Sequence, residues 1–349
     1  MTDAGITPVR RAGVARRLIR RAQTSLIKLT IGRRSMSGIP PQPPLAQTVS
    51  VEAREALAPM LAASMNPPKA YNYTVMRLMG EALLRPIGKA RGKRYGVSVM
   101  PGSMGGVPVQ FVQKGKAVAT PADGPLLINY HGGGFQFDSG SLTETIPIAG
   151  LTGLPVAAVL YRLAPEHPYP AAVDDALAVY RDALRTRSPH EVAIFGTSAG
   201  AYLSTQLIAR LKKDNLPMPA AVGFYSGSAD CAMPGDVEGY FPPLLAGKTL
   251  PEVIAPYIGA ADPRDPMLSP LNGDLSAWPP MQLMSSTRDI LLSQTVRLHL
   301  ALRKAGSPAD LIVFEGMPHA FWAYLECPET DEAFAAQAAF LKHALTGKS

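Results

Sequence analysis

Two glycine-rich turns, each placed directly after a short apolar run, constrain this 349-residue chain more than any other feature. The first reads His131-Gly132-Gly133-Gly134-Phe135 and follows Leu126-Leu127-Ile128-Asn129-Tyr130. The second reads Gly196-Thr197-Ser198-Ala199-Gly200 and follows Val192-Ala193-Ile194-Phe195. An apolar run too short for a helix and ended by glycine reads as a buried strand entering a turn. The G-x-S-x-G spacing is that of a strand-to-helix elbow, in which the two glycines remove side chains that would strike neighbouring backbone and the serine oxygen projects from the sheet. Ala199, Tyr202, Leu203, Leu207, Ile208 and Leu211 then recur with a helical period. Three consecutive glycines are costly in chain entropy. A phosphate cradle is the competing use for them, but the G-x-x-x-x-G-K-[ST] pattern is absent and no lysine follows. The pair of turns supplies a nucleophile, Ser198, and bare N–H donors for an oxyanion on Gly133, Gly134 and Ala199.

A serine hydroxyl needs a base, and the base needs a carboxylate to orient it. With this elbow the partners follow in the order Ser, Asp/Glu, His. Three histidines come after Ser198. His299 lies in an amphipathic helical stretch and His343 beside Lys342 in the last helix, both suited to packing or solvent. His319 lies in the turn Gly316–Phe321, just beyond the strand-like Leu311–Glu315, where a base is expected. For the acid, Asp289 follows the strand-like Met281–Ser286 and so falls at a strand's carboxyl end, on the same edge as Ser198 and His319. Asp262, Asp265 and Asp274 are rivals in a proline-rich segment, and Glu315 ends a strand, where it supports the loop. The set Ser198, Asp289, His319 needs no cofactor. There is no H-E-x-x-H and no clustered Cys/His ligand set, so no metal is expected.

These residues resemble the hormone-sensitive-lipase-like group of α/β-hydrolases, which includes the bacterial family IV esterases. The likeness covers residues 95–345: H-G-G-G-F at 131–135, Y-R-L-A-P-E-H-P at 161–168 with its continuation to Ala176, G-T-S-A-G at 196–200, D-P-R-D-P at 262–266 and S-T-R-D-I-L-L at 286–292. The Y-R-L-A-P-E-H-P stretch is the most specific. The resemblance implies a Ser198–Asp289–His319 triad, an oxyanion hole at Gly133, Gly134 and Ala199, and structural support from His131 and the Asp174 region. It also implies a helical cap over the serine. Many members carry Asp where this chain has Thr197, which is similar to the subgroup with a G-T-S-A-G elbow, and H-A-F stands here where H-G-F is commoner. The expected activity is hydrolysis of short- to medium-chain carboxylic esters. An amidase or deacetylase would use the same triad, and a non-catalytic receptor on this scaffold is disfavoured by His319. Dimers are common in the group, and nothing in the sequence demonstrates one here.

Strands are predicted near 96–100, 107–113, 126–130, 156–160, 192–195, 220–225, 281–286 and 311–315, with helices near 171–186, 199–213, 293–305 and 331–345. Such alternation gives an α/β fold with a mostly parallel sheet covered on both faces. Residues 36–90 and an insertion at about 229–275 fall outside the sheet and are the expected cap of a catalytic domain spanning 91–349. Residues 50–90 read as helical, with breaks at Pro59, Pro67-Pro68 and Pro86. Met65, Tyr71, Tyr73, Met76, Met79, Met233, Tyr240 and Phe241 are available to line a pocket, though such residues also serve as plain core.

The net charge of +7 misleads: residues 1–35 hold nine basic residues and one acid, leaving the other 314 almost neutral. Nucleic-acid binding by the body therefore has no support. In the arm, Val14, Leu18, Ala22, Leu26 and Leu29 can share a helical face with arginines around it. Contact with an anionic membrane surface, a disordered tail, and a reading frame whose natural start is Met36 all remain open. No secretory apolar core and no membrane-spanning stretch is present. Cys231 and Cys327 give no disulfide framework, so the cytoplasm is the default compartment.

Overall fold

The computed structural model describes residues 44–64, 72–116, 123–239 and 249–347. The basic arm, Met65, Tyr71, Tyr240 and Phe241 lie outside them. Two helices lead, α1 (Val51–Ser64) and α2 (Tyr73–Tyr95). There follow β1 (Val97–Met104), β2 (Val107–Lys114), β3 (Leu126–Tyr130), α3 (Ser141–Thr152), β4 (Val156–Val159), α4 (Ala171–Ala183), β5 (Val192–Thr197) and α5 (Ala199–Lys213). The rest is β6 (Ala221–Tyr225), α6 (Leu250–Val253), α7 (Ala255–Ile258), β7 (Met281–Arg288), α8 (Leu292–Lys304), β8 (Ala309–Pro318), α9 (Phe321–Tyr324) and α10 (Pro328–Thr346).

The eight strands form one sheet in the order β1-β2-β4-β3-β5-β6-β7-β8, antiparallel at β1/β2 and β2/β4 and parallel elsewhere. Every residue of β3, β4, β5 and β6 is buried, as continuous apolar runs in a sheet covered on both sides require. One core packs α4, α5 and α8 on one face, together with Cys231, Tyr257, Leu268 and Trp278 from the β6–β7 connection. The other packs α3, α9, α10 and α1 on the opposite face. Burial of this kind stabilises by about 25 cal/mol per Å² of apolar surface.

Two findings differ from the sequence reading. Pro59 and Pro86 do not break helices: α1 and α2 run through them. Pro86 and Ala82, whose carbonyl loses its N–H partner, both sit on the outer side of α2, where water can serve that carbonyl. At Pro86 the proline-breaking rule thus failed for want of burial. Second, α1 packs against α10 through Ala53 and Leu57, with Ser50 bonded to Glu329 at 2.6 and 2.8 Å. Its Ala53 and Leu57 join the core on the α10 side of the sheet, whereas α2 reaches the cavity over Ser198.

The anchor of α2 is Arg91, 2% exposed. Its guanidinium meets Glu326 at 2.7 Å and donates to the carbonyls of Thr143 and Leu325 at 2.6 and 2.9 Å. A buried cation held by a carboxylate and carbonyls is satisfied, and it fixes the helix against α3 and the turn between α9 and α10.

Candidate active site

Strand β5 ends at Thr197, and the chain turns sharply into α5 with Ser198 at φ 57°, ψ −119°. That conformation is sparsely populated for any residue with a Cβ and costs of order 1–3 kcal/mol. The glycines explain how neighbours tolerate it. A Cβ on Gly200 would stand 1.8 Å from the Tyr130 carbonyl oxygen, and one on Gly196 would stand 2.4 Å from the Gly200 backbone.

His319 follows β8, and its Nε2 lies 3.0 Å from Ser198 Oγ. Its Nδ1 lies 2.7 Å from Asp289 Oδ1. Asp289, fully buried just beyond β7, is held further by Ser285 Oγ, which donates to Oδ2 at 2.7 Å, and by the Leu291 N–H at 2.9 Å. Burial pushes its carboxyl up, but the opposing pull of His319, hydrogen bonds from His319 and Ser226 and the Leu291 N–H outweigh it, leaving the group below the ordinary aspartate value. Asp289 therefore stays ionised at neutral pH and fixes His319 with Nδ1–H toward it and Nε2 toward the serine. The Tyr324 hydroxyl donates to the His319 carbonyl at 2.7 Å and steadies the turn.

The rivals stand elsewhere. His299 is half-exposed on α8, and His343 is exposed on α10. Glu315 accepts from Thr287 at 3.2 Å, Asp274 pairs with Lys212 at 2.7 Å, and Asp262 and Asp265 close turns onto their own backbone.

Gly133, Gly134 and Ala199 border the same cavity as Ser198 and His319. The loop carrying the two glycines is tight. Gly133 has φ 111°, and a Cβ there would overlap the Phe137 carbonyl oxygen at 1.9 Å. Among the described residues no acceptor takes the N–H of Gly133 or Gly134. The Ala199 N–H opens α5, where a helix has no internal acceptor and its dipole favours negative charge.

The residues supporting this loop were visible only as a motif. Tyr161 stacks on His131 with ring centroids 4.2 Å apart, and its hydroxyl donates to the His131 carbonyl at 2.7 Å. Arg162 grips Asp175 at 2.7 Å, so the support in this region is Asp175, while Asp174 is half-exposed. The Ala164 N–H donates to the Phe135 carbonyl at 2.8 Å. Glu166 takes Arg77 of α2. The family-specific stretch is thus the underside of the glycine loop and the tether of α2.

The cavity has a volume of about 440 Å³. Its floor is the strand-end cluster, and its roof comprises Tyr73 and Met76 of α2 with Leu250–Pro256. Met79 and Met233 are exposed instead of lining it. The roof is pinned by Gln136 Nε2 on the Val253 carbonyl at 2.7 Å, by Phe135 stacked on Tyr257 at 3.6 Å, and by Tyr257 donating to Gln206 at 2.7 Å.

Residues 127–323 match the family model of the alpha/beta hydrolase fold. The chain belongs to that family, in its hormone-sensitive-lipase-like branch. It is 33% identical over 258 residues to an acetyl-hydrolase of Streptomyces hygroscopicus, covering 70% of this chain and 85% of that protein. It is 31% identical over 239 residues to carboxylesterase NlhH of Mycobacterium tuberculosis, covering 63% and 74%. Among solved structures, esterase E25 superposes with a TM-score of 0.74 at 32% identity over 89% of this chain and 99% of that one. A hormone-sensitive lipase from a metagenome library gives 0.75 at 28% identity, over 85% and 100%. No helix among the described residues is long and apolar enough to cross a membrane.

Proposed function

We propose that this α/β-hydrolase is a serine carboxylesterase acting on short- to medium-chain carboxylic esters. The observation that carries the reading is the hydrogen-bonded line Asp289–His319–Ser198, facing a cavity that also receives Gly133, Gly134 and Ala199. Ser198 Oγ attacks the ester carbonyl as its proton passes to His319 Nε2, and Asp289 stabilises the resulting imidazolium. The N–H groups of Gly133, Gly134 and Ala199 receive the oxyanion. As the tetrahedral intermediate collapses, the C–O bond to the alcohol breaks and His319 returns the proton to the leaving oxygen. Water, deprotonated by His319, then attacks the acyl-serine; the acid departs and Ser198 regains its proton. A cavity of about 440 Å³ suits a compact ester, and the relatives' names, acetyl-hydrolase and carboxylesterase, point the same way. The two unpaired buried cysteines accord with a cytoplasmic enzyme.

The test is hydrolysis of 4-nitrophenyl esters from acetyl to palmitoyl by wild type and Ser198→Ala. Activity peaking at short chains and falling by at least about a thousandfold in the variant is expected. A folded Ser198→Ala protein that keeps substantial turnover overturns the reading.

A further inference from the structure

The outward face of α2 is not a normal solvated helix surface. Arg77, Ile87 and Arg91 mark the side turned toward the body. On the opposite side Val75, Leu78, Met79 and Leu83 are 48, 63, 46 and 36% exposed. They are four of the ten large hydrophobic side chains exposed among the described residues, gathered into two and a half turns of one helix. Farther along the helix come Arg85, Lys89 and Lys93, all exposed and without a carboxylate partner among the described residues; they also border the groove between α2 and the body that Glu81 and Asp138 line. From Val75 to Lys93 the exposed side of the helix runs about 27 Å at 1.5 Å per residue, apolar at its start and flanked by cations toward its end. Its apolar end adjoins the cavity, because Tyr73 and Met76 on the same turns form part of the roof.

We propose that this face of α2 docks on an anionic lipid bilayer, with Val75, Leu78, Met79 and Leu83 among the headgroups and acyl boundary and Arg85, Lys89 and Lys93 against lipid phosphates. Unpaired cations call for a partner with negative charge, and an adjoining apolar patch calls for one with an apolar layer beneath; an anionic bilayer surface supplies both. A twofold pairing of two copies through this face would set the cations of one against the cations or the apolar end of the other, leaving them without counter-charge. The sequence adds a second source of attraction, since nine of its first 35 residues are basic. Docking would bring the cavity mouth to the surface where apolar esters collect, and it is read without turnover, so it stands or falls apart from the proposed chemistry.

The experiment is co-sedimentation of the full chain with vesicles of phosphatidylcholine alone and of an equal mixture with phosphatidylglycerol. Wild type is expected to bind the mixed vesicles, less strongly as salt rises. Leu78→Glu/Met79→Glu is expected to weaken binding at least about tenfold. Arg85→Glu/Lys89→Glu/Lys93→Glu is expected to weaken it about a hundredfold. Both variants should keep wild-type melting and wild-type hydrolysis of soluble 4-nitrophenyl acetate without vesicles, since none of these side chains lines the cavity. Wild type that ignores mixed vesicles overturns the proposal. So do variants that bind like wild type, which assigns attraction to the arm, and a wild-type dimer broken by Leu78→Glu/Met79→Glu, which assigns the face to a second copy.

Discussion

The floor and the roof of the cavity are built on different physics. The floor consists of strand ends and the turns that follow them: Ser198 after β5, Asp289 after β7, His319 after β8. Each is held by hydrogen bonds between 2.7 and 3.0 Å, and Asp289 has no solvent exposure. The roof is two short helices and the first turns of α2, resting on side-chain hydrogen bonds from Gln136 and Tyr257, the Phe135–Tyr257 stack and the Arg77 contacts. Directional bonds in a dry setting fix a geometry to fractions of an ångström, whereas apolar contact fixes only a volume. The floor therefore determines which reaction is run, and the roof determines which ester fits.

The largest effect should come from breaking the floor at its charge. Asp289→Asn keeps the shape but turns an acceptor into a group that can donate to His319, which favours the wrong tautomer. We expect kcat to fall about 10⁴-fold with the melting temperature near that of wild type. Single-turnover kinetics with 4-nitrophenyl butyrate would measure it, and a loss below tenfold would move the orienting role to another carboxylate.

A second prediction concerns stability in the layer behind the floor, where α3 meets Thr197. Glu144 on α3 is 2% exposed, and among the described residues neither of its carboxyl oxygens has a close hydrogen-bond donor, although the Thr197 hydroxyl lies near enough to favour ionisation. Burial is the larger influence and pushes its pKa up to about 8, with the Thr197 hydroxyl and Arg91 acting in the other direction. A carboxyl whose folded value is raised gives stability that is complete below its unfolded value near 4.5 and is lost as pH climbs to about 8. Glu144→Gln has nothing to titrate there. Relative to wild type, it should gain as much as a few kcal/mol of unfolding free energy between pH 5 and pH 8. Urea melts at the two pH values test this, and an equal difference at both would mean that Glu144 is ionised throughout.

How far this molecule was legible in its sequence follows the same division. All eight strands could be located because apolar runs ended by turn residues are a local signal, and the order Ser198, Asp289, His319 follows from placing strand ends along one edge. Helix α3 went unread. It is buried on nearly every side and carries Thr145, Ile146 and Ile148 around Pro147, so it shows no 3.6-residue period and its central turn holds poor helix formers. Ser285, Tyr324 and Asp175 were not singled out because nothing in their own neighbourhood marks them; their partners are supplied by tertiary contact. Of eight candidate lining residues, Tyr73 and Met76 reach the cavity while Met79 and Met233 face solvent, since methionine serves core, wall and surface alike.

The smallest effect should come from the roof, and it should change preference more than power. Met76→Trp fills space above Ser198 without touching the strand-end hydrogen bonds. A pocket discriminates by roughly 1–3 kcal/mol per methylene that it accepts or refuses. The ratio of kcat/KM for 4-nitrophenyl octanoate to that for the acetate should therefore drop about tenfold, while the acetate value itself stays within a factor of about two. If both esters fell together, Met76 would be supporting the geometry of the floor, and the division between a directional floor and a volumetric roof would fail at that residue.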